Sequence, residues 1–200
     1  MIAIVDYGMG NLRSVQKAVE RVGFGATLIH SPEELERAEK LILPGVGAFA
    51  DTMKGLEERG LVGPIIQYIK QGRPFLGICM GLQILFSEGT EDGLHAGLNV
   101  IPGRVVRFPQ NGLKVPHMGW NQVSFLRDVP LARGVPQGSY MYFVHSYYVC
   151  PEDPGVVAAT TDYGTTFASF IWKDNLFATQ FHPEKSQSVG LSILRNFAAL

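Results

Sequence analysis

The sequence predicts an α/β fold in three layers: a mainly parallel sheet flanked by helices, with an antiparallel extension. Two observations carry this prediction. In the first half, short apolar segments alternate with segments of helical periodicity, which is typical of right-handed βαβ units and a parallel sheet. In the second half, short β-branched and aromatic segments follow one another between Gly, Pro, Asn and Asp, which is typical of antiparallel hairpins.

The elements of the first half follow from these patterns. Apolar runs predict strands over 2–6, 26–29, 41–43 and 75–78. Helical spacing of apolar residues predicts helices over 11–22, 48–58, 64–71 and 80–87. A further short helix begins at Ser31-Pro32, where a capping serine precedes proline at the first helical position.

The second half is predicted to consist of strands that end in one helix. The strands are expected over 100–108, 122–125, 139–144, 156–161, 167–172 and 176–180, with a hairpin turn within 172–176. Residues 185–200 have the apolar spacing of a closing helix. No repeat, low-complexity tract or linker interrupts the chain, which predicts one domain over 1–200.

Composition narrows the class of protein. The chain has 200 residues, of which 46% are apolar and 18% charged, and its net charge is −1. This balance gives no electrostatic reason to expect nucleic acid or an anionic membrane as a partner. The N-terminus lacks the basic region of a signal peptide, and the weakly polar run 74–86 is too short to span a bilayer. With only two cysteines, neither at zinc spacing, we expect a cytoplasmic protein with reduced thiols, no metal and no cofactor.

The most informative stretch surrounds Cys79. Gly77 and Gly81 flank it at a distance of two residues, where a buried strand is predicted to meet a helix. A nucleophile elbow needs this arrangement, because its tight turn brings neighbouring backbone close. The N-terminus of the following helix would favour a thiolate. A cysteine in an apolar run is also typical of a small buried hydrophobic residue, so the motif alone leaves both interpretations open.

A cysteine nucleophile needs a base, and the base needs an orienting group. Among the five histidines, His182 is distinguished by Pro183 and Glu184, which follow it directly after an apolar strand. In an extended segment residues two apart point to the same side, so Glu184 would reach one imidazole nitrogen and leave the other for Cys79. The alternative is that Glu184 caps the last helix.

A third glycine-containing segment, residues 43–49, also follows a predicted strand. Its Gly45 and Gly47 would let backbone amides turn toward a reacting carbonyl, although an ordinary strand-to-helix turn has the same composition. The segment lacks the phosphate-binding glycine spacing and lysine. Residues 145–148 (HSYY) end a strand and could offer backbone groups to a polar ligand, or could simply pack. Residues 116–121 (PHMGWN) are interpreted as a loop that could anchor a partner, or could be a structural turn.

Together these motifs resemble the class I (triad) glutamine amidotransferases. The resemblance rests on GICMGLQ around Cys79, PGVGAF at 44–49 and FHPEKS at 181–186, in the family's order along nearly the whole chain. Three further segments resemble most the sequences of the glutaminase subunits of histidine biosynthesis: the opening segment 6–15, PHMGWN and HSYY. The family commonly has Leu where this chain has Met80, and Met where it has Leu82, which leaves the implied mechanism unaffected.

The resemblance implies a role for each matching residue. Cys79 would attack the side-chain amide carbon of glutamine, His182 would transfer protons, and Glu184 would orient His182. The backbone amides of Val46 and Met80 would form the oxyanion hole. The family contacts glutamine at positions that correspond here to Gly47, Gln83, Ser146 and Tyr147.

The resemblance also implies a partner. The ammonia would pass to a (β/α)₈-barrel cyclase, in a 1:1 heterodimer, which makes imidazole glycerol phosphate and aminoimidazole carboxamide ribonucleotide. The residues expected to face it are Asn11, His117, Trp120, Asn121, Tyr142 and Lys185. Three alternatives stay open: the glutaminase subunit of another ammonia-using synthase, a stand-alone γ-glutamyl hydrolase, and a catalytically inactive binding module on the same fold.

Overall fold

The computed structural model describes residues 1–110 and 112–200 and has the predicted three layers. The strands β1 to β7 are Ile2–Val5, Ala26–Ile29, Lys40–Gly45, Phe75–Cys79, Phe86–Gly89, His95–Ala96 and Ile101–Arg107. The strands β8 to β14 are His117–Gln122, Ser124–Phe125, Tyr140–His145, Tyr147–Pro151, Val157–Asp162, Thr166–Lys173 and Leu176–Thr179. The helices α1 to α6 are Leu12–Arg21, Pro32–Glu36, Phe49–Glu58, Val62–Lys70, Met80–Gln83 and Gln187–Ala198.

The strands of the main sheet divide into a parallel and a mostly antiparallel part. The order β2-β1-β3-β4-β14 is parallel throughout, and β14 continues into β13, β11 and β7 through antiparallel pairs. Beyond β7 lie β5, which is parallel to it, and β6. Strands β8 and β10 form a separate antiparallel ribbon in which Trp120 is opposite Tyr142 and His117 is opposite His145. The predicted antiparallel extension is therefore present.

Side chains along the central strands point alternately into two hydrophobic cores, one on each face of the sheet. In β3, Leu41 and Leu43 belong to the core beneath α2, α3 and α4, whereas Ile42 belongs to the core beneath α1 and α6. All three side chains are fully buried, because helices cover both faces of the parallel strands. At the start of α2, Ser31 caps the helix as predicted, and Glu34 adds the reciprocal hydrogen bond to the backbone N–H of Ser31.

Two predicted elements are wrong, and both concern the neighbourhood of the site. The helix expected over 80–87 ends at Gln83, and Phe86 begins β5, because its backbone pairs with Ile101 instead of continuing the helix. The motif at 116–121, interpreted as a loop, is mostly strand β8. Its proline lies just outside the strand, and Gly119 sits within it at φ 126°. The short strand β6 and strand β11 were not predicted.

Candidate active site

Cys79 ends strand β4 in a strained conformation. Its φ is 55° and its ψ −105°, which is unusual for a residue other than glycine. A Cβ at position 77 would approach the carbonyl oxygen of Gly81 to 2.5 Å, and one at position 81 would overlap the carbonyl of Leu43. Glycine is therefore required on both sides of Cys79, as in a nucleophile elbow. Helix α5 has only four residues, so its dipole contributes less to a thiolate than the sequence suggested.

His182 and Glu184 form a buried pair beside this elbow. Nδ1 of His182 lies 2.8 Å from Oε1 of Glu184, and both side chains are almost fully buried. The predicted extended backbone is wrong beyond His182, because Pro183–Lys185 is a turn of 3-10 helix. The turn folds Glu184 back onto the imidazole. Ser186 fixes the geometry of this turn, since the Ser186 hydroxyl donates a hydrogen bond of 2.6 Å to the carbonyl oxygen of His182.

The remaining nitrogen of His182 is directed at Cys79. Nε2 is buried and makes no hydrogen bond of ordinary length to the protein. Burial lowers the pKa of His182, but the Cys79 sulfur and then the Glu184 carboxylate oppose it, and together they raise the pKa to about 10. The site therefore favours the protonated, positively charged imidazole of His182 beside the Cys79 sulfur.

These groups meet at a cavity of about 240 Å³, which suits a small molecule better than a polypeptide. Most of the residues predicted to catalyse, to form the oxyanion hole or to bind glutamine line it: Val46, Gly47, Cys79, Met80, Gln83, Ser146, Tyr147 and His182. Glu184 does not line the cavity and lies behind His182. At Gly47 the φ of 98° is in the region that favours glycine.

Four further lining residues were not assigned a role in catalysis or glutamine binding: Glu91, Pro116, Val144 and His145. Of these, Pro116 and His145 belong to the PHMGWN and HSYY motifs. Glu91 is a carboxylate at the cavity wall, and its Oε2 accepts a hydrogen bond of 2.8 Å from the backbone N–H of Phe49. The carbonyl of Val144 lies 3.9 Å from Sγ of Cys79. Glu91 occurs in a polar turn that is indistinguishable in sequence from a solvated surface loop, so no local signal could have found it.

Gln180, which does not line the cavity, is a further residue of the site that sequence reasoning missed. It is completely buried, and its Nε2 lies 3.7 Å from Sγ of Cys79. Its Oε1 accepts a hydrogen bond of 3.1 Å from Nε2 of Gln83. Gln83 also donates to the carbonyl of Tyr147 over 3.0 Å. The side-chain nitrogen of Gln83 is therefore held by two protein acceptors, which leaves the side-chain oxygen of Gln83 for a ligand.

The six residues expected at a partner interface differ in how much of each is exposed to solvent. Trp120 is 46% exposed on the outer face of the β8–β10 ribbon, with its ring 6.0 Å from that of Tyr142. Nζ of Lys185 lies 5.8 Å from the centre of the Tyr142 ring, and Asn11 is exposed just before α1. Asn121 is half-buried. His117, in contrast, is only 3% exposed, so its side chain is a core residue of the ribbon.

Residues 1–110 and 112–200 contain neither a membrane-spanning helix nor a candidate metal site. No helix there is long and apolar enough to cross a membrane. In the same part of the chain, no three side chains of His, Cys, Asp or Glu come together as metal ligands. Cys79 and Cys150 are both unpaired.

The chain is similar to known proteins of one family over nearly its whole length. Residues 3–199 match the family described as glutamine amidotransferase class-I. A protein of Syntrophotalea carbinolica named imidazole glycerol phosphate synthase subunit HisH is 60% identical over 98% of both chains. Proteins of the same name from Geobacter sulfurreducens and Aquifex aeolicus are 58% and 52% identical, over 100% and 97% of this chain and 98% and 94% of their own.

Solved structures show the same fold. A crystal structure titled glutamine amidotransferase superposes with a TM-score of 0.78 at 21% identity, over 100% of both chains. PurLQS from Thermotoga maritima gives 0.78 at 18% identity, over 98% of this chain and 96% of that one. With the family match spanning nearly every residue, the chain belongs to the class-I glutamine amidotransferases.

Proposed function

We propose that this chain is the glutaminase subunit of an imidazole glycerol phosphate synthase in histidine biosynthesis. It hydrolyses glutamine to glutamate and ammonia and delivers the ammonia to a cyclase. The observation that carries the proposal is the convergence of Cys79 and His182, backed by Glu184, on one small cavity. The names of relatives that are 52–60% identical over nearly the whole chain support the pathway.

The first half of the reaction is acyl transfer to Cys79. Its thiolate attacks the side-chain amide carbon, and an Sγ–C bond forms while the carbonyl oxygen becomes an oxyanion. His182 then gives its Nε2 proton to the amide nitrogen. The C–N bond breaks, ammonia leaves, and a glutamyl thioester remains on Cys79. Glu184 accepts the Nδ1–H of His182 and holds Nε2 toward the sulfur.

The second half returns the enzyme to its starting state. His182, now neutral, takes a proton from water as the water attacks the thioester carbon. A second oxyanion forms and collapses, the Sγ–C bond breaks, and glutamate leaves Cys79 as the thiolate. The backbone amides of Val46 and Met80 are the proposed donors to both oxyanions, since both residues line the cavity together with Cys79.

Glutamine also has to be held by its α-amino and α-carboxyl groups. Gly47, Gln83, Ser146 and Tyr147 are the proposed contacts, and the structure supports them by placing all four at the cavity. We add Glu91, because a carboxylate in a small, partly closed cavity is the natural partner for an α-ammonium group. The oxygen of Gln83 is a second acceptor for that group.

The β8–β10 ribbon is the proposed docking site for the cyclase. Its exposed side chains include Met118, Trp120 and Tyr140, and Val144 of the same ribbon lines the cavity. A (β/α)₈-barrel partner seated here, in a 1:1 complex, would cover the cavity and receive ammonia before water protonates it. Tyr142 of β10 belongs to the same proposed surface, to which we assign Asn11 and Lys185 as well. Two unpaired cysteines fit a reducing compartment such as the cytoplasm.

The decisive experiment measures glutamate release from glutamine by this chain with the cyclase subunit and its ribonucleotide ligand. Cys79→Ala is the blank. We expect release far above the blank and above the chain alone, and we expect the Cys79→Ala complex to retain synthesis from added ammonium. Glutamine-dependent turnover by Cys79→Ala would refute the nucleophile. Absence of stimulation would favour another synthase as partner, and hydrolysis of γ-glutamyl peptides by the chain alone would favour a stand-alone hydrolase.

A further inference from the structure

A continuous line of hydrogen bonds runs from strand β8 to the sulfur of Cys79 without using His182 or Glu184. It begins on the ribbon, where Nδ2 of Asn121 lies 3.2 Å from Nε2 of His117. Nδ1 of His117 lies 3.0 Å from Nε2 of His145, and Nδ1 of His145 lies 2.8 Å from the carbonyl oxygen of Tyr147.

The second part of the line starts from that same carbonyl. It accepts a hydrogen bond from Gln83, and Gln83 donates with its other N–H to Gln180. Nε2 of Gln180 is then the donor that faces Sγ of Cys79. Every side chain between Asn121 and the sulfur is buried: His117, His145, Gln83 and Gln180. The two parts converge on one backbone oxygen of the cavity wall.

The direction of each hydrogen bond is determined by chemistry. The Tyr147 carbonyl accepts only, so His145 carries its proton on Nδ1 and accepts at Nε2 from His117. His117 therefore also carries its proton on Nδ1 and accepts at Nε2 from the Asn121 amide. Both histidines are neutral in this arrangement, and burial agrees with it, because it lowers the pKa of His117 to about 4 and that of His145 to about 3.

We propose that Gln180 is a further catalytic residue, whose amide donates a hydrogen bond to the thiolate of Cys79, and that the line from Asn121 holds this donor in place. The proposal rests on Cys79 being the nucleophile. Gln83 and the Tyr147 carbonyl leave the Gln180 amide one orientation, with its nitrogen toward the sulfur. His117 and His145 act as positioning residues, which connect the docking ribbon to the cavity wall.

The arrangement suits the charge changes of the reaction. A thiolate accepts hydrogen bonds better than a thioester sulfur does, so the Gln180 amide stabilises the sulfur before attack and after release of glutamate. The Gln180 amide then acts on the same sulfur as the positive charge of the His182 imidazolium. A purely packing role would be met at lower desolvation cost by an apolar side chain at position 180.

The first test measures the rate at which iodoacetamide alkylates Cys79 as a function of pH, in a Cys150→Ser background. For Gln180→Leu we expect the midpoint to move to higher pH and the rate at pH 7 to fall about tenfold, because a hydrogen bond to a charged group is lost. Glutaminase kcat should fall more than KM rises. The control is Thr161→Val, which removes the buried hydrogen bond between Thr161 and Ser169 outside the line.

Gln180→Glu keeps the size of the side chain and covers the case in which Gln180→Leu does not fold. A carboxylate beside the sulfur should move the alkylation midpoint in the same direction. An alkylation profile that superposes on the parent in folded Gln180 variants would overturn the proposal. Because alkylation needs no glutamine and no cyclase, this outcome is distinct from a failure of the proposed function, which the Cys79→Ala assay reports.

The second test concerns the far end of the line. His117→Phe keeps the ring that stacks on Tyr163 at 4.1 Å but removes both hydrogen bonds. Tyr163→Phe is the control, since it keeps the stack and removes only the hydroxyl that donates to the Lys114 carbonyl. We expect His117→Phe to reduce cyclase stimulation several-fold and Tyr163→Phe to leave it unchanged. In combination with Gln180→Leu, His117→Phe should add no further loss. Additive losses would overturn the connection between the two ends.

Discussion

Gly81 and Leu43 are packed so closely that a Cβ on Gly81 would overlap the carbonyl oxygen of Leu43. This contact joins helix α5 to strand β3 directly beneath the elbow. Since β3 continues into the segment with Val46 and Gly47, the same packing sets the distance between Cys79 and the proposed oxyanion donors. Glycine at position 81 is therefore needed both for the turn at Cys79 and for the position of the segment that carries Val46 and Gly47.

We expect Gly81→Ala to destabilise the protein by about 3 kcal/mol or more, because backbone must move to admit the methyl group. Glutaminase activity in the cyclase complex should fall at least about 100-fold, which corresponds to the loss of an oxyanion donor. Urea denaturation and glutamate release measure the two effects. Gly63→Ala in α4 is the control, since nothing lies within 4 Å of a Cβ there. Equal behaviour of the two variants would contradict this account of the elbow.

The pKa of His182 should depend on its two neighbours, Cys79 and Glu184. A pKa raised from 6.5 to about 10 means that the charged imidazole contributes stability fully below pH 6.5 and loses it as the pH rises through about 10. In an NMR titration we expect the His182 ring to titrate well above neutral pH. Cys79→Ala and Glu184→Gln should each lower that pKa. An unchanged titration in Cys79→Ala would mean that the sulfur carries no charge near neutral pH.

Glu91 is expected to bind the substrate and not to take part in the chemistry. Glu91→Gln should raise the KM for glutamine about tenfold or more, since a charge-assisted hydrogen bond to the α-ammonium is lost, and should change kcat little. Asp92→Asn is a suitable control, because Asp92 is exposed and Asn tolerates its φ of 52°. Steady-state kinetics with the cyclase complex would decide, and a loss confined to kcat would exclude this role.

The ribbon exposes two aromatic side chains, Trp120 and Tyr140, and Trp120 is the larger candidate anchor. We expect Trp120→Ala to weaken cyclase binding by about 2 kcal/mol, as is typical for a tryptophan at the centre of an interface. Isothermal titration calorimetry measures this loss. Leu126→Ala removes a more exposed apolar residue outside β8 and β10 and should leave the affinity unchanged. If both variants bind equally well, the cyclase does not dock on this ribbon.

The sequence predicts the fold wherever one local pattern dominates. Strands β1 to β4 and helix α1 follow from apolar periodicity, and Cys79 is marked by two glycines whose packing the structure explains. The pattern fails where long-range pairing prevails. Residues 84–87 have helical spacing, yet Phe86 pairs with Ile101, and a motif with proline and glycine becomes strand β8 by pairing with β10.

The missed site residues share a physical cause. Gln180 and Cys79 are 101 residues apart, and Glu91 reaches the cavity from a polar turn. Neither position has a local signal, because its role depends on which strands become neighbours. His182 and Glu184 were found from their spacing, but a 3-10 turn brings them together, not the extended backbone that suggested the pair.

The parallel pairing of β14 with β4 has a consequence for synthesis of the protein. Thr179 is in register with Ile78, so the segment that carries His182 reaches Cys79 only after this pair has formed. A ribosome-bound chain that has been synthesised only as far as β13 possesses the cysteine but no base. It therefore lacks a complete triad until the segment after β14 has been translated. The order of the strands along the chain thus separates synthesis of the nucleophile from synthesis of the base that activates it.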